Sequence, residues 1–257
     1  MATVQADAAP PESTSDTVLG GRVVLRQPLA GYRVAIDPIL LAAACAAEAG
    51  ETVVDLGCGI GTAALCVARR LSSVRCVGVD LQAPLIAFAV ENATANHLAD
   101  RVRFFSGDIL DPALPVYAAR AEQVIVNPPY LPRDRATIPA NPIKALANVE
   151  GAADLPAWVA AAARALKPGG CATFVHRADR LPELLSAFAG PFGTISVLPI
   201  HPKADQAARR VIVAGRLGQR GPASLLPGLV LHEPDGAFTA AAQHILRDGG
   251  ALSLAAS

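Results

Sequence analysis

The sequence predicts an α/β fold, a parallel and doubly wound sheet of about seven strands flanked by helices. From residue 51 onward, short runs rich in Val and Ile alternate with longer helical runs, the pattern of βαβ units. Hydrophobic residues make up 52% of the 257 residues, which is enough for a sizeable core. We see no internal repeat or linker, so we expect one domain over residues 19–257. Residues 1–18 are rich in Pro, Ser, Thr and Asp and are expected to be a disordered tail.

The elements follow one another in chain order. A helix is predicted to start near Pro38 with Asp37 as its N-cap, because Asp is a preferred cap and Pro suits the first helical turn. Strands then alternate with helices through "TVVDLG", "RCVGVDL", "RVRFFSGD" and "QVIVNPP". The second half is predicted to contain a helix near 154–166, a "KPGG" turn at 167–170, the strand "CATFVH", a helix near 179–189, and strands near 192–200 and 209–216.

Several classes of protein are disfavoured by composition. The five cysteines lie in apolar runs without the spacing of a metal site or a secreted disulfide framework, so we expect reduced thiols and no metal. No run of about eighteen apolar residues is free of charges and breakers, and the N-terminus lacks a signal-peptide pattern. We therefore expect a soluble, cytoplasmic protein that does not enter a membrane.

A glycine-rich loop follows the first predicted strand of the sheet. "VVDLGCGIGTAAL" places Gly57, Gly59 and Gly61 between that strand and its helix, and Asp55 precedes the loop. Residues without a Cβ let the backbone approach a ligand closely, and the helix N-terminus offers free N–H groups. The spacing is G-x-G-x-G, which differs from the dinucleotide fingerprint G-x-G-x-x-G.

Three acids end consecutive predicted strands: Asp55, Asp80 and Asp108. One explanation is that each merely caps the following helix, as Asp often does at such junctions. The other is that they face a common ligand, because open α/β sheets bind ligands at the carboxyl ends of their strands. Three acids in succession beside a glycine loop favour the ligand-binding explanation.

The fourth predicted strand ends in "NPPY", residues 127–130. Proline fixes its own φ and restricts the preceding residue, so Asn127 and Pro128 are pushed towards extended conformations in a stiff turn. A stiff turn that presents an amide and an aromatic ring suits a planar polar group held between them. An ordinary surface loop is the alternative explanation.

Together these segments resemble class I S-adenosylmethionine-dependent methyltransferases, whose sheet is Rossmann-like. The glycine loop with Asp55 resembles their motif I, and "NPPY" resembles the motif IV of enzymes that methylate a nitrogen conjugated with a planar system. The blocks "GYRVAIDPILLA", "ARRVIVAG" and "LHEPDGAFT" are similar to the bacterial tRNA(Val) adenine-N6 methyltransferase family, which acts beside the anticodon. This resemblance runs from about Leu19 to Leu246.

The resemblance implies a role for each candidate site residue. S-adenosylmethionine would be bound by the strand-end acids, the glycine loop and their neighbours: Asp55, Gly57, Gly59, Gly61, Asp80, Leu81, Asp108, Ile109 and Asn127. Asp80 would accept both ribose hydroxyls and Asp108 the adenine amino group. Arg33 would pair with the methionine carboxylate, although a solvated surface arginine is an equally good explanation.

The acceptor amine would be bound by the "NPPY" segment. Asn127 and Pro128 would hold and polarise the amine, while Tyr130 would stack on the base and Pro129 would border it. Leu131 departs from the family, where a second aromatic follows the tyrosine, so the base and its RNA are left open.

Charge is unevenly distributed although the net charge is zero. Residues 131–220 carry 12 Lys and Arg against 6 Asp and Glu, whereas residues 1–130 carry 9 against 13. This block includes Arg133 and Arg135 just after "NPPY", which we expect to contact tRNA or another RNA. Two alternatives are methylation of a glutamine amide in a protein such as a release factor, and a catalytically silent cofactor-binding subunit. The intact glycine, acid and "NPPY" residues disfavour the silent subunit.

Overall fold

The computed structural model describes residues 12–29, 34–130 and 152–255. Within these ranges the strands are β1 (Ser13–Val18), β2 (Val23–Pro28), β3 (Thr52–Leu56), β4 (Arg75–Asp80), β5 (Val102–Ser106), β6 (Ala121–Val126), β7 (Leu166–Arg177), β8 (Phe192–His201), β9 (Arg210–Leu217), β10 (Ser224–Leu225) and β11 (Leu229–Val230). The helices are α1 (Asp37–Ala44), α2 (Thr62–Arg70), α3 (Ala83–Ala95), α4 (Pro115–Ala119), α5 (Leu155–Ala165), α6 (Leu181–Phe188), preceded by a 3₁₀ turn at Ala178–Arg180, and α7 (Ala240–Leu246).

The central sheet has the strand order β10-β8-β9-β7-β6-β3-β4-β5, and β11 also pairs with β8. The pairs β5/β4, β4/β3, β3/β6 and β6/β7 are all parallel, whereas β9 runs antiparallel to both β7 and β8. Seven strands of five or more residues form the body of this sheet, β3 to β9, and the short β10 and β11 extend its edge. The predicted α/β fold class is therefore confirmed.

Helices cover both faces of the sheet, so the core has two layers. One apolar cluster joins α1, α2, α3 and α7 to the sheet, and it includes Leu40, Leu65 and Ile245. The other joins α4, α5 and α6 to the opposite face, and it includes Trp158 and Phe188. A sheet apolar on both faces needs such cover on each side, which gives the doubly wound arrangement.

A separate β-hairpin of β1 and β2 packs against α3. Asn96 Oδ1 accepts from Val24 N at 2.9 Å, and Asn92 Oδ1 accepts from Arg26 N at 2.7 Å. The Asn92 amide also donates to the carbonyl of Ile60 in the glycine loop at 3.1 Å. Residues 13–18, which we expected within a disordered tail, therefore form a paired strand because β2 offers them a complete antiparallel ladder.

Two local predictions are wrong. The "KPGG" segment is not a turn ahead of the strand but a bulge within β7: Leu166 pairs with Ala121 and Cys171 with Gln123, so residues 167–170 have no partner on β6, and Gly169 has a φ of +77°. Helix α1 begins at Asp37 itself, and its N-cap is Ile36 without a side-chain cap. Asp37 does not cap the helix because its carboxylate is held by tertiary partners described below.

Across the described parts of the chain, no helix is long and apolar enough to cross a membrane, and α3, the longest of them, has 13 residues. Cys45, Cys58, Cys66, Cys76 and Cys171 are all free thiols.

Candidate active site

The carboxyl ends of the central parallel strands meet at one edge of the sheet. Leu56 of β3 pairs with Val79 of β4 on one side and Val126 of β6 on the other. A cavity of about 580 Å³ opens at this edge. Its lining combines residues that follow β3, β4, β5 and β6 with residues of α1, α5 and β9. Such an edge is where open α/β sheets bind ligands.

Two sides of this cavity differ in origin. The glycine-loop side is formed by residues at or after the ends of β3, β4 and β5: Asp55, Gly57, Gly59, Asp80, Leu81, Asp108 and Ile109. The NPPY side is formed by residues that follow β6 and by one residue each of α1 and β9: Asn127, Pro128, Pro129, Tyr130, Asp37 and Arg210.

The glycine loop is held by backbone hydrogen bonds to the end of β4. Gly57 N and Cys58 N both donate to Val79 O, at 2.8 and 3.0 Å, and Gly59 N donates to Asp80 Oδ2 at 2.9 Å. A Cβ at Gly59 would meet nothing within 4 Å, so its backbone faces open space in the cavity. Of the three glycines, only Gly59 has this open space, because a Cβ at Gly57 would meet Trp158 and a Cβ at Gly61 would meet Phe104.

Asp55 is buried below the loop and is 2% exposed. Its Oδ2 accepts from Ala64 N in α2 at 3.1 Å, so it does bind a helix N-terminus in addition to lining the cavity. Burial raises the pKa of this carboxyl to about 7, against the opposing effect of the Ala64 hydrogen bond. A carboxylate with a raised pKa at a cavity is a candidate for contact with a positively charged ligand group.

Asp80 forms the junction between β4 and the cavity. Its Oδ1 accepts from Gln82 N at 2.8 Å and its Oδ2 accepts from Gly59 N at 2.9 Å. Burial raises the pKa of Asp80, and these two hydrogen bonds oppose the shift. A carboxylate has about four acceptor positions, so two further hydrogen bonds are available to a ligand diol.

Asp108 is more exposed than the other two acids. Its Oδ1 accepts from Leu110 N at 2.9 Å, which forms a local turn after β5. The side chains of Leu81 and Leu110 line the cavity although they are 60% and 38% exposed. Exposed apolar side chains around an acid suit a planar, partly polar ring system.

The NPPY side centres on two side chains in hydrogen-bond contact. Tyr130 Oη lies 2.7 Å from Oδ1 of the Asn127 side-chain amide and 2.9 Å from Asp37 Oδ2 at the start of α1. Asp37, only 3% exposed, also forms an ion pair with Arg210, the first residue of β9. Arg210 Nε and Asp37 Oδ1 meet as charges, without the alignment of a hydrogen bond.

Two further residues lie at or beside the cavity without a role predicted from the sequence. Trp158 in α5 belongs to the core, its indole also borders the cavity beside Gly57, and its buried Nε1 has no hydrogen-bond partner among the described residues. His176 in β7 is fully buried with its ring 5.2 Å from the Tyr130 ring, and burial lowers its pKa to about 4. No sequence signal distinguishes these residues from core residues.

The structure brings most of the predicted site residues to one cavity. Gly61 does not line it; this residue is the N-cap of α2 with a φ of +85°. Arg33, Arg133 and Arg135 lie outside the described residues, so their predicted roles stay predictions. Within the described parts of the chain, no group of three or more His, Cys, Asp or Glu side chains is placed to hold a metal ion.

Residues 36–198 match the methyltransferase small domain family. The chain belongs to this family. It is therefore an S-adenosylmethionine-dependent methyltransferase, as the glycine loop and strand-end acids indicated.

Two of the curated relatives that the chain matches are named for different acceptors. The chain is 30% identical over 211 residues to a tRNA1(Val) (adenine(37)-N6)-methyltransferase of Aeromonas hydrophila, a match that covers 80% of this chain and 85% of the relative. It is 27% identical over 162 residues to a release factor glutamine methyltransferase of Chlorobaculum tepidum, which covers 60% of this chain and 55% of that relative. This second match spans little more than half of the relative's length.

The fold is shared with solved methyltransferase structures. The crystal structure of a predicted O-methyltransferase from Agrobacterium tumefaciens superimposes with a TM-score of 0.69 over 84% of this chain and 98% of that one. The two sequences are 23% identical, so this likeness concerns the fold alone.

The cavity also fits the cofactor on its own geometry. Gly59 leaves space for a ligand against the backbone, and Asp80 retains acceptor positions for two hydroxyl groups. The Trp158 ring adds an apolar wall to the cavity beside Gly57.

Proposed function

We propose that this enzyme methylates the exocyclic N6 amine of an adenine in RNA, most simply a tRNA adenine near the anticodon. The observation that carries the proposal is the placement of the Asn127 amide and the Tyr130 ring on the same cavity as the glycine loop. The tRNA adenine-N6 relative, aligned over most of both chains, supports the choice of acceptor.

An exocyclic amine is a poor nucleophile because its lone pair is delocalised into the ring. When bound, S-adenosylmethionine supplies an electrophilic methyl group. The Asn127 side-chain oxygen and the Pro128 carbonyl accept hydrogen bonds from the amine, which draws the nitrogen towards tetrahedral geometry and orients its lone pair. Tyr130 supplies a ring on which the base stacks. This chemistry depends on orientation and polarisation and needs no strong general base.

The cofactor-binding roles belong to the glycine-loop side. Asp80 would accept hydrogen bonds from the ribose hydroxyls and Asp108 one from the adenine amino group, and the Gly59 backbone would border the cofactor. Ionised Asp55 would favour a cationic cofactor because burial leaves its charge poorly solvated. Leu81 and Ile109, which line the cavity, would provide apolar contacts to the adenine.

A glutamine amide is the second candidate acceptor. Its nitrogen is conjugated and planar like the adenine amine, and the release factor glutamine methyltransferase match favours it. That match leaves almost half of the relative unaccounted for, whereas the tRNA adenine-N6 match covers 85% of its relative. The adenine proposal therefore explains more of the chain.

Transfer of a radiolabelled methyl group decides between the two acceptors. The purified protein is incubated with labelled S-adenosylmethionine and either total tRNA or total protein from the source organism. We expect label in tRNA, recovered as N6-methyladenosine after nuclease digestion. The Asn127→Ala variant controls for a contaminating enzyme. Label only in protein, recovered as methylglutamine, would replace the adenine proposal by the second candidate.

The basic residues after Tyr130 provide an independent test of RNA binding. Each phosphate neutralised by Arg or Lys contributes about 0.7 to 0.9 to the slope of log affinity against log salt. We expect Arg133→Ala with Arg135→Ala to weaken tRNA binding and to reduce that slope by about one to two units, with cofactor affinity unchanged. The control is Arg75→Ala with Arg103→Ala. These exposed residues lie near the amino ends of β4 and β5, whereas the cavity lies at the carboxyl ends. Equal slopes for the two double variants would remove the 133–135 segment from the RNA surface.

A further inference from the structure

Four side chains from three separate parts of the sequence form a continuous row of contacts along the NPPY side. Arg210 pairs with Asp37, Asp37 Oδ2 lies 2.9 Å from Tyr130 Oη, and Tyr130 Oη lies 2.7 Å from the Asn127 amide. All four residues line the cavity. The last of them, Asn127, is the one proposed to touch the acceptor amine.

The number of available protons determines the direction of these hydrogen bonds. A tyrosine hydroxyl has one proton, and a carboxylate in an ion pair has none, so Asp37 can only accept. A hydrogen bond to a charged acceptor is stronger than one to a neutral amide oxygen. The Tyr130 proton is therefore donated to Asp37, and the 2.7 Å contact with Asn127 needs a proton from the amide. The nitrogen and oxygen of an amide are distinguished by their partners, so Asn127 Nδ2 faces Tyr130.

We propose that Asp37 is a positioning residue which, through Tyr130, fixes the Asn127 amide with Oδ1 towards the acceptor. This inference rests on the proposed function. An oxygen in that position accepts a hydrogen bond, so the site selects an acceptor that offers an N–H group. An amide free to rotate would present its NH₂ half of the time and would repel the same amine.

The Asp37→Asn variant should reverse the direction of the hydrogen bonds that link residue 37, Tyr130 and Asn127. Its new amide keeps an oxygen for Arg210 and turns its NH₂ to Tyr130, which must then donate its proton to Asn127. The Asn127 oxygen is consumed by that bond and its NH₂ faces the acceptor amine, so two donors meet. We expect methyl transfer to fall about a hundredfold in kcat, comparable to the loss of one preorganised hydrogen bond. Cofactor affinity should change by less than about threefold, because Asp37 lies on the opposite side of the cavity.

A second substitution should restore an acceptor oxygen towards the amine and so recover part of the lost activity. In the double variant Asp37→Asn with Asn127→Asp, the Tyr130 proton is donated to the new carboxylate, whose other oxygen accepts from the amine. The pair of changes conserves total charge. We expect the double variant to recover at least about tenfold in kcat over Asp37→Asn, whereas Asn127→Asp alone sets two carboxylates competing for one tyrosine proton and is impaired. A double variant no better than either single variant would overturn the proposal, since a residue needed only for folding cannot be rescued in this way.

A spectroscopic measurement on the full-length protein tests the amide orientation without any substrate. In wild type, nuclear Overhauser contacts should connect the Asn127 side-chain NH₂ protons to the Tyr130 ring ε protons, and they should vanish in Asp37→Asn. Their absence from the wild-type spectrum would overturn the proposed orientation even if adenine is methylated. Failure of the wild type to label tRNA, with these contacts present, would instead reject adenine as the acceptor and leave the orientation standing.

Discussion

The two sides of the cavity are built in different ways. The glycine-loop side comes from the ends of three strands in succession, β3, β4 and β5, and its acids bind nearby backbone N–H groups. The NPPY side joins the end of β6 to the start of α1 and the start of β9, residues separated by up to 173 positions from Asp37 to Arg210. The first side depends on local geometry, whereas the second depends on contacts that exist only in the folded chain.

Among the predicted substitutions, Asp55→Asn should have the largest effect, a change in the free energy of unfolding. The pKa of the Asp55 carboxyl is ordinary in the unfolded chain but is raised to about 7 in the folded protein. The unfolded state thus loses its proton first, so this group lowers stability as pH rises from about 4 to about 7 and adds no further change above that. Asp55→Asn should remove the loss, which is at most about 4 kcal/mol at about 1.4 kcal/mol per pH unit.

Urea unfolding of both proteins without cofactor, at a series of pH values, measures this difference. The gap in unfolding free energy should widen in favour of Asp55→Asn between pH 4 and 7 and then stay constant. The new amide oxygen can still accept from Ala64 N, so the helix contact is retained. A gap independent of pH would mean that Asp55 ionises normally in the fold.

On the NPPY side, Asn127→Ala should reduce methyl transfer by about a hundredfold or more, because one preorganised contact to the acceptor is lost. Cofactor affinity should stay within a few fold of wild type if the two sides act independently. Single-turnover rates and calorimetric titration measure the two quantities. Near wild-type transfer would exclude Asn127 from the chemistry, and a parallel loss of cofactor affinity would show that the sides are coupled.

In contrast to Asn127→Ala, Asp80→Ala should act chiefly on cofactor affinity. A hydrogen-bonded carboxylate contributes about 1.5 to 3 kcal/mol, so cofactor binding should weaken about tenfold or more. Because Asp80 Oδ2 also holds Gly59 N, thermal unfolding separates a loosened loop from a lost ligand contact. Asp80→Asn is the matched control, since it retains one acceptor oxygen without the charge. Unchanged calorimetric affinity in Asp80→Ala would reject the ribose assignment.

The smallest effect is expected from Gly59→Ala, in comparison with Gly61→Ala. Both glycines have positive φ values, +55° and +85°, which cost an alanine about 1 to 2 kcal/mol. A Cβ at Gly61 would also lie 2.5 Å from Phe104 Cζ, whereas a Cβ at Gly59 meets open space. Gly61→Ala should therefore be less stable than Gly59→Ala by about 1 kcal/mol or more. Gly59→Ala should instead lose cofactor affinity, and equal melting temperatures would contradict this division.

Most of the fold and the glycine-loop side could be predicted from the sequence. The carboxyl ends of parallel strands share one edge of a sheet, so residues at or just after those ends, such as Asp55, Asp80 and Asp108, are expected to be neighbours once the strands are recognised in the sequence. The same reasoning placed Asn127 at the cavity. Errors arose where local propensity met tertiary partners, as for Ser13–Val18, which pair with β2, and for the "KPGG" segment, which extends β7.

Only the tertiary structure decided what surrounds the amide of Asn127. A sequence pattern indicates that Asp37 begins a helix and that Arg210 begins a strand, and either role is satisfied locally by a cap or by solvent. Their side chains meet Tyr130 because α1 and β9 converge on the end of β6, a contact that depends on packing across the whole sheet. The positions of Trp158 and His176 were not predicted, because a residue buried beside a cavity and a residue buried in a core lie in the same apolar sequence pattern.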